Sequence, residues 1–130
     1  TTQTIPSGSW TPLNWNNEIF DGDDVHSTVT NSSRVIIPSS GTWTFGVQAT
    51  FQTSAANLVY IRIIEGTTAA STVIVEDNRW AQVDNTRIVI NGIQHFATSG
   101  STITVNVLSG GSTNNILANT LRFWGHRISA

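Results

Sequence analysis

Between Thr42 and Gln52 polar and apolar residues alternate without a break. Trp43, Phe45, Val47, Ala49 and Phe51 fall on one side, and Thr44, Gly46, Gln48 and Thr50 on the other. Successive side chains of a strand point to opposite faces of a sheet, so a period of two over this length predicts a long core strand. Its second face is small and uncharged, which suits contact with another protein surface. Leu58 to Ile64 repeats the pattern, with Val59, Ile61 and Ile63 against Tyr60, Arg62 and Ile64, and Glu65-Gly66-Thr67 closes it as a turn. Further segments run over Val25 to Val29, Arg34 to Ile37 ending at Pro38, Thr72 to Glu76, Thr86 to Phe96, Thr102 to Leu108 and Leu117 to Ile128. Asp77-Asn78-Arg79-Trp80 reads as an interruption, and Gly92, Ser99-Gly100 and Gly110-Gly111-Ser112 as punctuation.

Ahead of these, Trp10 to Trp15 and Glu18 to Phe20 are short apolar pieces broken by Pro12 and Asn-rich turns, as in edge or bent strands. Residues 1–9 are polar and read as an N-terminal arm, leaving 10–130 as a single domain. Eight to ten short strands with turn signals about every 8–12 residues, and no helical period, predict an all-β, antiparallel two-sheet sandwich or jelly roll.

Composition sharpens this. Among 130 residues there are 14 Ile, 11 Val and 19 Thr, β-branched side chains that suit a pleated, half-buried surface. Ser, Thr and Asn together make up 45 residues, so the surface is polar but mostly uncharged. The net charge of -2, with no Lys, leaves no basic stripe to neutralise a phosphate backbone, and no nucleic-acid partner is expected. No apolar run approaches the ~20 residues that span a bilayer as a helix, so no membrane insertion is expected.

The common catalytic signatures are missing. Without Lys there is no phosphate-binding loop, and G-x-G-x-x-G, H-E-x-x-H and G-x-S-x-G do not occur. Without Cys there is neither a disulfide framework nor thiol chemistry. His26, His95 and His126 share no metal-ligand spacing. Asp21, Asp23 and Asp24 form the one acidic cluster, an oxygen-rich loop of a kind that can hold calcium, but Val25 breaks the helix-loop-helix pattern, and a self-capped turn fits it better. No catalytic residue, resident metal or cofactor is expected. Asn31-Ser32-Ser33 is a glycosylation sequon only in a chain secreted from a eukaryotic cell.

Five Trp is a high count for this length, and Trp10, Trp15 and Trp80 sit among polar neighbours. Exposed aromatics stack on sugar rings or anchor interfaces, which makes Asp77, Asn78, Arg79 and Trp80 the candidate ligand contacts. The last segment, Leu121 to Ile128, places Leu121, Phe123 and Gly125 on one face and Arg122, Trp124, His126 and Ile128 on the other. Large groups on both faces make a poor solvent surface and point to a subunit contact.

Three stretches carry a resemblance. Trp10-Thr-Pro-Leu-Asn-Trp-Asn-Asn-Glu-Ile-Phe-Asp21, then His26 with Asn31-Ser-Ser-Arg-Val-Ile-Ile-Pro38, then Gly41-Thr-Trp-Thr-Phe-Gly-Val-Gln-Ala-Thr-Phe51 resemble the globular heads of the complement and tumour-necrosis-factor superfamily. Their flavour is that of the heads on bacteriophage virion proteins. Ile61-Arg-Ile-Ile-Glu-Gly-Thr-Thr68, Ile103 to Leu108 and Phe123-Trp-Gly125 extend the match over nearly the whole chain. Gly100-Ser101 departs from the family's Gly-Asp turn. The resemblance implies a jelly roll of about ten strands that trimerises, with Gly46, Gln48, Thr50, Trp124, His126 and Ile128 near the threefold axis. It also implies an extracellular place on a virion surface, beside other virion proteins, as a non-enzymatic tail-fibre-type knob that binds a host receptor or glycan. A capsid decoration on a symmetry axis of the shell is the alternative, and a carbohydrate-active accessory domain a lesser one.

Overall fold

The computed structural model describes residues 2–14, 18–20, 34–53, 56–66, 71–81, 84–111, 114–117 and 121–129. Trp15, the Asp21, Asp23 and Asp24 loop, His26, the expected Val25 to Val29 strand and the sequon lie outside them.

The described chain is all strand and loop. In order, the strands are β1 (Thr2–Ile5), β2 (Thr11–Pro12), β3 (Glu18–Phe20), β4 (Arg34–Ile36), β5 (Gly41–Thr53), β6 (Asn57–Glu65), β7 (Thr72–Ala81), β8 (Asp84–Ala97), β9 (Thr102–Ser109), β10 (Asn114–Leu117) and β11 (Arg122–Ser129). They form a six-stranded and a five-stranded sheet. In the six-stranded sheet β5 pairs with β8 along one side; along the other it pairs with β11 near Thr42 to Gln48 and with β10 at Phe51 and Gln52. β1 lies outside β10, and β3 outside β11. In the five-stranded sheet the order runs β7, β6, β9, with β2 and β4 sharing the far side of β9. The pairings are antiparallel except that β3 runs parallel to β11.

The alternation in β5 and β6 becomes the core. Trp43, Phe45, Val47, Ala49 and Phe51 are buried against Val59, Ile61 and Ile63 of the other sheet, with Ile88, Ile103, Val105, Val107, Ile116 and Phe123 around them. Each of the Val, Ile and Phe side chains contributes about 1.5–3 kcal/mol by leaving water. The Trp43 indole meets its polar need locally, donating to the Ser39 carbonyl at 3.0 Å.

Two polar contacts tie the sheets at opposite ends of β6. Asn114 of β10 donates to Ser109 Oγ at 2.7 Å and to Asn57 Oδ1 at 3.5 Å. At the other end His95 Nε2 lies 3.5 Å from Glu65 Oε1, an ion pair when the imidazole is protonated, but not directed as a hydrogen bond.

Four segments differ from the sequence reading. Within the expected N-terminal arm, Thr2–Ile5 is a strand in register with β10, and Ile5 is fully buried. Asp77 to Trp80 do not interrupt β7; each pairs with a residue of β6. Among the described residues β7 has a partner on one side alone, and an edge strand keeps charged and polar residues that discourage further pairing. Gly92 does not separate strands either. Phe45 opposes Ile93 and Val47 opposes Ile90, so Asn91 and Gly92 together face Gly46 in a β-bulge, with Gly92 at a φ of 72°. The expected Leu117 to Ile128 strand is two strands, β10 and β11.

Candidate functional site

Two sheet faces turn away from the core, and strand register decides what each displays. The outer face of the six-stranded sheet is built on the even-numbered residues of β5. Residues directly opposite in antiparallel strands share a face. Arg122, Trp124 and His126 therefore lie beside Gln48, Gly46 and Thr44, while Arg87, Val89, Gln94 and Phe96 of β8 lie beside Thr50, Gln48, Thr44 and Thr42. The Trp124 indole covers Gly46 so closely that a Cβ there would overlap Cε2 and Cζ2 of the ring.

Register thus brings five of the six residues expected near a subunit axis, Gly46, Gln48, Thr50, Trp124 and His126, onto one face. The sixth, Ile128, sits in an irregularity of β11 between Arg127, opposite Trp43, and Ser129, opposite Thr42. They are not equally available: Gly46 and Thr50 are buried, Gln48 and Trp124 half-buried, His126 and Ile128 exposed. Sequence reasoning missed Val89 and Phe96, both exposed on this face, Phe96 to 60%. Their signal was present in the alternation of Thr86 to Phe96, but only pairing with β5 shows which face it serves.

The outer face of the five-stranded sheet is more aromatic. One cross-strand row holds Leu108, Tyr60 and Asn78; the next holds Asn106, Arg62 and Glu76; Leu58 and Trp80 stand on the other side of Tyr60. Trp10, just before β2, meets Tyr60 edge-on at 6.1 Å between centroids, and the Arg62 guanidinium carbon lies 3.8 Å from the Trp10 ring centre. That stacking helps to hold a cation only 6% exposed, since an aromatic face attracts a guanidinium and replaces part of its water. The four candidate ligand contacts divide by the same rule. Asn78 and Trp80 share the face of Tyr60, whereas Asp77 and Arg79 oppose Ile61 and Val59 and turn to the core side of the edge. The Asp77 carboxylate accepts the Asn78 backbone N–H at 2.9 Å.

Among the described residues no group of three or more His, Cys, Asp or Glu could hold a metal. His95 and His126 cannot share one, because they oppose Trp43 and Thr44 and so occupy opposite faces of the sheet. No described helix is long and apolar enough to cross a membrane.

The solved structure of Eiger TNF from S. frugiperda matches 95% of this chain and 88% of its own length, with a TM-score of 0.55 and 11% sequence identity. The fold is a tumour-necrosis-factor-type jelly roll. At that identity the likeness establishes the jelly roll and nothing of its activity. No protein-family profile matches the chain, and no curated protein does.

Proposed function

We propose that this jelly roll is a non-enzymatic recognition head that acts as a homotrimer on the outside of a virus particle, beside other virion proteins, and binds a host-surface receptor or glycan. The observation that carries the trimer is the outer face of the six-stranded sheet. There Trp124 is pressed onto Gly46, and Val89 and Phe96 stand exposed on the same face across β5. A monomer gains nothing by holding such groups in water, whereas an interface core is built from aromatics and aliphatics with few charges. The phage-like sequence pattern of Trp10 to Phe51 supports the virion setting.

Light scattering on a sizing column tests the assembly. The expected mass is about three times the 14.1 kDa chain, and Phe96→Arg, which places a charge in the contact, lowers it. A wild-type monomer at tens of micromolar overturns the trimer. Labelling of intact particles by an antibody to the chain tests the location, and unlabelled particles would remove the virion from the proposal.

A further inference from the structure

The aromatic face of the five-stranded sheet lies across the sandwich from the proposed subunit contact. We infer that it is a platform for a neutral oligosaccharide, with sugar rings stacked on Trp80 and on the Trp10–Tyr60 pair. This deepens the recognition role proposed above. It rests on the binding half of that reading and is independent of the trimer.

A pyranose ring offers a flat C–H face and a rim of hydroxyls, so a site for it needs flat aromatic surface flanked by planar hydrogen-bonding groups. This face has both. Trp80 is 57% exposed yet fixed on a strand paired along its whole length with β6. Tyr60 lies on the diagonal next to it, and Trp10 beyond, held in place by Tyr60 at one side and Arg62 beneath. Beside Tyr60 on β7 stands the exposed Asn78 amide and, one row on, the exposed Glu76 carboxylate. Asn106, 3% exposed and opposite Arg62, keeps an Oδ1 with no hydrogen-bond partner among the described residues.

Other occupants fit less well. Nucleic acid would need offered positive charge, and of the cations on this face among the described residues Arg62 is covered by Trp10 and Arg34, opposite Thr104, is half-buried. A protein partner would favour an apolar patch with an uncharged border, and here the amide of Asn78 and the carboxylate of Glu76 line the aromatic strip along the β7 edge.

The test uses the native protein and a panel of neutral glucan, mannan, galactan and N-acetylglucosamine oligomers, followed by tryptophan fluorescence and saturation-transfer NMR. Saturable binding of at least one oligomer is expected. Trp80→Ala weakens it about tenfold, the scale of one lost stacking ring, with thermal midpoint and native mass unchanged. Asp77→Ala and Arg79→Ala leave affinity within about twofold, since both side chains face away. Phe96→Arg keeps binding per chain even where it lowers the mass. Silence across the panel up to about 10 mM, or wild-type affinity in Trp80→Ala, overturns the platform while leaving the trimer untouched. A change of native mass in Trp80→Ala also overturns it, because the face is then a contact between copies.

Discussion

The indole of Trp124 occupies the space that a side chain at Gly46 would need, and the two residues are direct cross-strand partners. A glycine inside a strand ordinarily costs about 0.5–1 kcal/mol relative to alanine through backbone entropy. Here it admits a large ring flat against the sheet. Gly46→Ala is therefore expected to destabilise by about 1–3 kcal/mol through overpacking. In a Trp124→Ala background the same change should become neutral or stabilising, because the colliding ring is gone. Chemical denaturation of the two single variants and the double variant reads this change of sign, and equal effects in both backgrounds would disprove the packing account.

Gly92 is required for another reason. No atom lies within 4 Å of where its Cβ would be, but its φ of 72° is one that other residues adopt with strain. Gly92→Ala is expected to cost about 1–2 kcal/mol, and Gly92→Asn less, since Asn tolerates the left-handed region. A midpoint unchanged in Gly92→Ala would show that the bulge relaxes freely.

The two ties between the sheets should differ in strength. Asn114 is buried and its amide spans Ser109 and Asn57, so Asn114→Ala removes two hydrogen bonds from buried groups and costs about 1–3 kcal/mol. Glu65 and His95 are a quarter to a third exposed, and His95→Gln is expected to cost under about 1 kcal/mol. Reversal of that order in urea unfolding would argue against the buried amide as the stronger tie.

Trp10 and Arg62 should be coupled. Truncating Trp10 to Ala uncovers the guanidinium to water and removes the face it stacks on. A double-mutant cycle with Arg62→Met is expected to return a coupling of about 1–2 kcal/mol. Additive effects would mean that the ring and the cation are merely neighbours.

How much of this is legible before folding depends on where each residue finds its partner. β5 and β6 are plain in the sequence because one face of each is apolar along its middle and the period of two exposes it. β1 is not, because Thr2, Gln3 and Thr4 carry no apolar alternation, and their strand exists through pairing with β10 far along the chain. Asp77 to Trp80 look like a turn for the same reason, since their polarity reflects an edge position that only the assembled sheet defines. The Gly46, Trp124 and His126 face follows from alternation on two strands, though their adjacency depends on a register that local pattern does not contain. On the aromatic face Trp80 stands out by its setting. Its association with Tyr60 and Trp10 needs three strands aligned, and the separation of Asp77 and Arg79 from Asn78 and Trp80 needs the knowledge that the segment is extended.

The pairing of β1 with β10, Thr2 opposite Leu117, has a consequence for how the chain is made. During synthesis the first strand emerges long before its partner exists, and Ile5 has no finished core to enter. Contacts between sequence-distant strands form slowly, because loop closure comes before any gain from packing. The nascent jelly roll thus carries an unpaired strand until β10 leaves the ribosome, and the six-stranded sheet is completed only once β10 and β11 have both been made.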